Sequence, residues 1–330
     1  MDLDLVFLGT SASMPTAQRG PAALLLRRGG ERLLFDCGEG TQRQLQRSVI
    51  GLPELEEIFL THYHADHVLG LPGMLKTFAL RGREDVALTV HGPSGLGELF
   101  RALRPFLGRL PYPLELVELA PGDVLERPEY RIDAFPLDHG VAGIGYALVE
   151  RERPGRFDVA TADALGVPSG PERGLLQHGE SVTLENGTVV TPDEVLGEAR
   201  PGRKVVVAGD TAPSPQVVQA AEHADLLVHE ATFAAEEKER ARETMHSTAA
   251  DAAEVARLAG VRMLALTHVS TRYFGPDLAA EAREVFAETV VPRDFDAIEI
   301  PFPERGEPRL VKGGGRPERA DAAAPIVPGV

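Results

Sequence analysis

The stretch FLTHYHADHVLG, residues 59–70, gathers His62, His64, Asp66 and His67 directly behind an apolar run. The chain has only ten histidines, so three within six positions ask for a chemical reason. Imidazole suits zinc, and a carboxylate can bridge two ions or accept a proton. In an extended chain, positions 62, 64 and 66 face one side, because side-chain direction alternates along a strand. His67 then points elsewhere unless the backbone turns. Adjacent Asp66 and His67 would crowd each other on a single ion, and two ions that divide the cluster remove the conflict. The simpler alternative is a surface turn that happens to carry histidines; the position of the cluster, at the end of an apolar strand, argues against it.

More residues of the same chemical type end apolar runs elsewhere. IFLTH closes on His62, FPLDH on His139, VVVAGD on Asp210, LLVHE on Glu230 and LALTH on His268. Taken singly, His139 and His268 read as satisfied core histidines and Asp210 as the start of a turn. Ligands in open α/β sheets gather outside the carboxyl ends of strands. If the five strands run the same way, their ends converge on one place.

The elements that would position these residues are legible as short runs between Gly and Pro punctuation. Residues 3–9, 22–28, 32–38, 56–62 and 86–92 read as strands, as do three runs within 114–149. Residues 69–81 and 95–106 read as helices. Three buried-strand candidates, at 203–210, 224–232 and 262–270, alternate with helices. The clearest helix is TAADAAEVARLAG (248–260), with Thr248 or Ser247 as its cap and Gly260 as its end. Strands followed by alternating strands and helices predict sheets covered by helices. Residues 151–202 interrupt this pattern with five prolines and many glycines, which predicts an inserted loop or protruding arm. The Gly/Ala/Pro-rich residues 313–330 read as a disordered tail.

With 330 residues, 43% apolar and 25% charged, the composition is that of an ordinary globular protein. No run is long enough to span a membrane, and MDLDLVFLGT lacks the basic flank of a signal peptide. The single cysteine, Cys37, cannot form an internal disulfide and reads as a small buried residue, so a cytoplasmic protein is expected. A net charge of −16 argues against a generic nucleic-acid coat, although a local patch or a bound metal can reverse the sign near a site.

The HxHxDH motif after a strand, followed by His139, Asp210 and His268, resembles the metallo-β-lactamase superfamily. Within it, FLGTSASMPT (7–16), FDCGEGTQRQL (35–45), FLTHYHADHVLGLPGMLKT (59–77), VAGDT (207–211), VHEATF (228–233), His246-Ser247-Thr248 and LTHVSTRY (266–273) are similar to the ribonuclease Z family. The similarity runs from about residue 3 to residue 305. It implies a four-layer αβ/βα sandwich over 1–312, two zinc ions per chain and a homodimer. By motif, His62, His64 and His139 would hold one zinc, Asp66, His67 and His268 the other, and Asp210 would bridge them. The implied activity is removal of the 3′ trailer from precursor tRNA, leaving a 3′-hydroxyl. Asp66 would be the general base, His246 the acid that protonates the leaving 3′-oxygen, and Glu230 the carboxylate that orients His246.

FDCGEG is expected to make a tight turn under the metals, with Gly38 and Gly40 supplying permissive backbone. The loop MPTAQRG (14–20) departs from the family pattern, since Gly20 stands where an Asn follows the Arg. Arg272 and Tyr273 are expected to contact phosphate and a base. The inserted arm, 151–202, with its Gly170-Pro171 element, would grip the tRNA. It carries Arg151, Arg153, Arg156 and Arg173, yet acidic residues outnumber basic ones across it. Two other readings remain open here: a related small-molecule phosphodiesterase or arylsulfatase, and a metal-stabilised RNA-binding protein without catalysis.

Overall fold

The computed structural model describes residues 1–52 and 55–313. The tail expected over 313–330 falls, from residue 314 onward, outside the described residues. The punctuated apolar runs become strands β1 (Leu3–Gly9), β2 (Ala23–Arg28), β3 (Glu31–Phe35), β4 (Glu57–Phe59), β5 (Leu88–Gly92) and β6 (Leu114–Glu118). There follow β7 (Val124–Glu126), β8 (Tyr130–Pro136), β9 (Ile144–Glu150) and a short hairpin of β10 (Val182–Thr183) and β11 (Val189–Val190). The last six are β12 (Lys204–Val207), β13 (Leu226–Glu230), β14 (Leu264–Thr267), β15 (Thr289–Val290), β16 (Ala297–Glu299) and β17 (Arg309–Val311).

Two mixed sheets result. One has the order β17-β16-β1-β2-β3-β4-β5-β6 and the other β15-β14-β13-β12-β9-β8-β7. In the first, β1 and β2 pair antiparallel, while β3, β4 and β5 run parallel, with Phe35 opposite Phe59 and Phe59 opposite His91. In the second, β12, β13 and β14 run parallel, with Glu230 opposite Thr267. The sheets face each other where Tyr146 of β9 meets Phe59 of β4 edge-on at 5.3 Å. The same tyrosine donates its hydroxyl to the Leu60 carbonyl at 2.7 Å, so this large buried ring leaves no polar group unsatisfied.

Helices cover the outer faces. Leu71, Met74, Leu75 and Phe78, at helical spacing on Leu71–Leu80, pack into a cluster with Leu8, Leu25, Leu34, Ile58 and Val90. On the other sheet, Ala249–Ala259 buries Ala252, Ala253 and Ala256, and their small side chains let the helix lie close to β13 and β14. Thr248 and Asp251 form its capping box, and Gly260 ends it at φ 63°. This is a four-layer α/β sandwich.

One sequence expectation needs correction. The five strands that end on ligand-type residues do not share a sheet: β4 belongs to the first, and β8, β12, β13 and β14 to the second. The converging ends therefore come from two layers, which periodicity within single segments cannot reveal.

By its internal packing the chain divides into two units. The larger comprises residues 1–125, 132–148 and 204 onward, and the smaller 126–131 with 149–203. The smaller unit is more than the loop its Pro/Gly content predicts. It folds three short helices, Val159–Ala164, Pro171–Gln177 and Pro192–Val195, and buries Ala162, Val167, Leu176, Val182, Val190 and Val195 in an apolar cluster of its own. At its base Arg203 forks onto Glu150 at 2.7 and 2.8 Å, a buried bidentate pair.

Candidate metal centre

The apolar strand β4 delivers the chain to Thr61, and the backbone then turns. Ala65–Val68 is a single helical turn, so Asp66 and His67 leave the extended path of His62 and His64. That turn answers the geometric difficulty posed by the cluster. It is wedged against FDCGEG: a Cβ on Gly38 would lie 2.3 Å from the Asp66 carbonyl and 2.7 Å from Pro21. Gly40 takes φ 83° as the cap of the helix Thr41–Arg47.

The cluster assembles around Asp210, which follows β12. Its Oδ2 lies 3.8 Å from His62 Nε2, 3.3 Å from His67 Nε2, 3.8 Å from His139 Nε2 and 3.2 Å from His268 Nε2. Two ligands on one tetrahedral zinc, each about 2.1 Å from it, are about 3.4 Å apart. The geometry thus suits a carboxylate shared between ions. The donor atoms of His62, His64 and His139 lie within 4.8 Å of one another, as do those of Asp66, His67 and His268.

The hydrogen bonds say which nitrogen each ring offers. His67 Nδ1 donates to Asp36 Oδ2 at 2.8 Å and His139 Nδ1 to the Met245 carbonyl at 3.0 Å. His268 Nδ1 lies 2.8 Å from the Thr232 hydroxyl and His62 Nδ1 3.1 Å from the Thr61 hydroxyl. Both hydroxyls are committed as donors to carboxylates, Thr232 to Glu230 at 2.5 Å and Thr61 to Asp36 at 2.9 Å, so each accepts from its histidine. All four rings therefore turn a bare Nε2 inward. Those of His62 and His67 are fully buried without any hydrogen-bond partner. Orphaned, buried, lone-pair nitrogens around a buried carboxylate are what a cation requires. His64 differs in presenting Nδ1, 3.2 Å from His139 Nε2.

Charge balance agrees. Burial, and then the neighbouring His67, hold His62 far below the usual histidine range, hence neutral. Burial pulls His67 down too, but Asp210 and Asp36 on either side outweigh it and favour positive charge at this ring, which a metal ion on Nε2 would supply in place of a proton. Burial likewise pushes Asp66 and Asp210 up, and the surrounding histidines outweigh it, keeping both carboxylates ionised. The pocket is built to hold positive charge.

His246 stands at the edge of this cluster, two residues before the cap of the helix Ala249–Ala259. Its Nδ1 is 2.6 Å from Glu230 Oε1, and its ring is 4.6 Å from that of His139. Burial lowers His246, but the Glu230 hydrogen bond wins and raises it to about 8. Glu230 is itself fixed at the end of β13 by the amides of Thr211 and Thr232. His246 also lies within coordinating distance of His139 and Asp210, so a ligand role is geometrically open to it.

Sequence reasoning missed three contributors. Asp36, at φ 58°, orients His67 and accepts from both the amide and the hydroxyl of Thr61. Its signal was its place inside FDCGEG. Thr232 links Glu230, His246 and His268. The Ser13 amide, from a residue at φ 57°, donates to Asp66 Oδ2 at 2.8 Å. Other expected residues lie outside the cluster. Arg272 pairs with Glu237 at 2.9 Å and covers the Phe233 ring, and Tyr273 donates its hydroxyl to the same Glu237. Neither is free as folded. Gly170 and Pro171 open the helix Pro171–Gln177 of the smaller unit. At Gly20 a Cβ would have room, and the Gly20 amide binds Asp294 instead.

Comparison with known proteins matches this architecture. The model of the metallo-β-lactamase superfamily matches residues 17–245. Ribonuclease Z of Natronomonas pharaonis is 47% identical over 92% of this chain and 100% of its own length. Ribonuclease Z of Myxococcus xanthus is 48% identical over 91% of this chain and 98% of its own. The crystal structure of the short form of human tRNase Z superposes with a TM-score of 0.65 at 29% identity, over 90% of this chain and 99% of that one. The chain therefore belongs to the ribonuclease Z family of hydrolytic endoribonucleases, within the metallo-β-lactamase superfamily.

Proposed function

We propose that this protein is a zinc-dependent endoribonuclease that removes the 3′ trailer from precursor tRNA and leaves a 3′-hydroxyl on the tRNA. The observation that carries the reading is the His246–Glu230 pair, 2.6 Å apart, set beside seven converging metal-ligand candidates. Two zinc ions, one held by His62, His64 and His139, the other by Asp66, His67 and His268, with Asp210 shared, would supply a water acidified to near neutrality and positive charge for the phosphoryl oxygens.

The chain's own residues divide the proton work. Asp66, ionised and anchored by the Ser13 amide, is the acceptor for a proton released at the attacking face. His246 has Nδ1 committed to Glu230, so Nε2 is the nitrogen left to protonate the departing ribose 3′-oxygen. Raised to about 8, it carries that proton at neutral pH. In this reading the smaller unit is the tRNA-binding arm, with Gly170 and Pro171 at the contact, and Arg272 and Tyr273 reach substrate once Glu237 releases them.

The proposal extends to a cytoplasmic homodimer with two zinc ions per chain. Among the described residues no helix is long and apolar enough to cross a membrane. The deciding experiment incubates the zinc-loaded protein with end-labelled precursor tRNA and maps the product ends. A single cut beside the acceptor stem, leaving a 3′-hydroxyl, is expected. Retention of the RNA without cutting, or cleavage of small diesters alone, would overturn the reading.

A further inference from the structure

The loop that closes over Asp66 continues into a cleft of about 910 Å³ on the larger unit. Arg19, Arg43, Arg47, Arg283, Arg293 and Lys312 line it. Of its three carboxylates, Asp294 and Asp296 attract Arg19 through space, but none of the three forms an ion pair with a described cation of the cleft. Asp294 accepts from the Thr10 hydroxyl, the Gly20 amide and the Gln44 side chain at 2.7–2.8 Å, and Asp296 from the amides of Arg293 and Gly313. Glu39 forms no ion pair among the described residues. Among the described residues, no carboxylate lies within ion-pair distance of any of the six cations. Elsewhere arginines are matched: Arg27 with Asp4, Arg257 with Glu254, Arg309 with Glu299.

Arg19, Arg47 and Arg283 spend hydrogen bonds on neutral oxygens, while the exposed side chains of Arg43, Arg293 and Lys312 form no hydrogen bond or ion pair among the described residues. In a chain of net charge −16, six cations gathered on one cleft with no ion pair among the described residues, Arg19 and Arg293 repelling each other, favour an anion that joins them. Guanidinium forks and an ammonium favour phosphate oxygens. A cleft of about 910 Å³ has room for a few nucleotides of single strand.

Its connection to the metal centre selects the strand. Ser13 touches Asp66, and Pro15 to Gly20 form part of the cleft wall. RNA on the 5′ side of the scissile bond enters the paired acceptor stem at once, whereas RNA on the 3′ side is single-stranded. We propose that this cleft binds the phosphodiester backbone of the single-stranded trailer, 3′ of the cut. The proposal rests on the reading of the chain as a precursor-tRNA endoribonuclease.

The test uses the zinc-loaded full chain and a triple variant, Arg43→Gln, Arg293→Gln and Lys312→Gln, whose exposed positions do not enter the core. Fluorescence anisotropy follows binding of a single-stranded oligoadenylate across a salt series. Loss of three phosphate contacts lowers the slope of log affinity against log salt by about 2 and the affinity itself by about tenfold or more at low salt. In parallel, precursor tRNAs with very short and with long trailers are compared. The wild type should show a lower KM for the long trailer, and the variant should lose that difference. Equal oligonucleotide affinity and slope in the two proteins, or a wild-type KM indifferent to trailer length, overturns the proposal. So does tighter binding of a phosphopeptide of equal charge. If the wild type cuts no precursor tRNA, the functional reading fails, and the oligonucleotide comparison still decides the cleft.

Discussion

His246 and Asp36 act at the same centre through different physics, and substitution separates them. If the centre is the two-zinc site proposed above, His246→Ala should keep both ions and slow cleavage by roughly 10²–10⁴, the range for losing a general acid. A substrate with a better leaving group should recover part of the loss; zinc content and rates on the two substrates check this, and loss of metal would make His246 a ligand instead. Asp36→Asn should weaken zinc binding, because His67 Nδ1 would face an amide in place of the carboxylate that fixes its tautomer. Supports of this kind are worth roughly 10–100-fold in affinity. Competition with a chelator measures the affinity, and excess zinc should restore most of the activity. The ligand types were legible in the sequence because histidines crowd into HxHxDH. Asp36 was not, since an acid inside a glycine-rich turn looks the same whether it caps a loop or orients a ligand.

At the scale of elements, Asp294 ties the end of β1, the loop around Gly20 and the helix Thr41–Arg47 into one contact. Burial raises its carboxyl to about 6, against the hydrogen bonds from Gly20 and Thr10. The unfolded chain ionises this group near 4, so between about pH 4 and 6 the folded state holds a proton that the unfolded state has lost. Stability from this group is therefore full below pH 4 and declines as pH rises to 6, by about 3 kcal/mol at most. The difference in urea-unfolding stability between wild type and Asp294→Asn, measured from pH 4 to 7, should fall over that interval; a flat difference would contradict it. Elements show where the sequence stops being informative. LDLVFLG and TAADAAEVARLAG declare a strand and a helix by period and cap, and the structure forms both. The single turn Ala65–Val68 is too short to have a period, and the division of five ligand-bearing strands between two sheets is a property of long-range pairing.

Across the whole molecule, the smaller unit was legible as an interruption but not as a folded body, because its apolar positions are spread thinly between prolines and meet only in three dimensions. It contains none of the candidate metal ligands. Replacing residues 154–200 by a short Gly/Ser linker should leave hydrolysis of bis(p-nitrophenyl) phosphate and reduce kcat/KM for precursor tRNA by about tenfold or more, since remote contacts position the reacting bond. Rates on both substrates decide; an equal fall on both would make the unit structural. The metal centre has the opposite distribution, with ligands drawn from His62 through His139 and Asp210 to His268. A chain still emerging from the ribosome lacks His268, and the strand before it, until every other ligand-bearing segment has been made. Binding energy that depends on all of these segments accrues only to the finished fold. Metal loading thus works as a completeness check, and a product truncated before His268 is expected to be metal-free and unable to cut RNA.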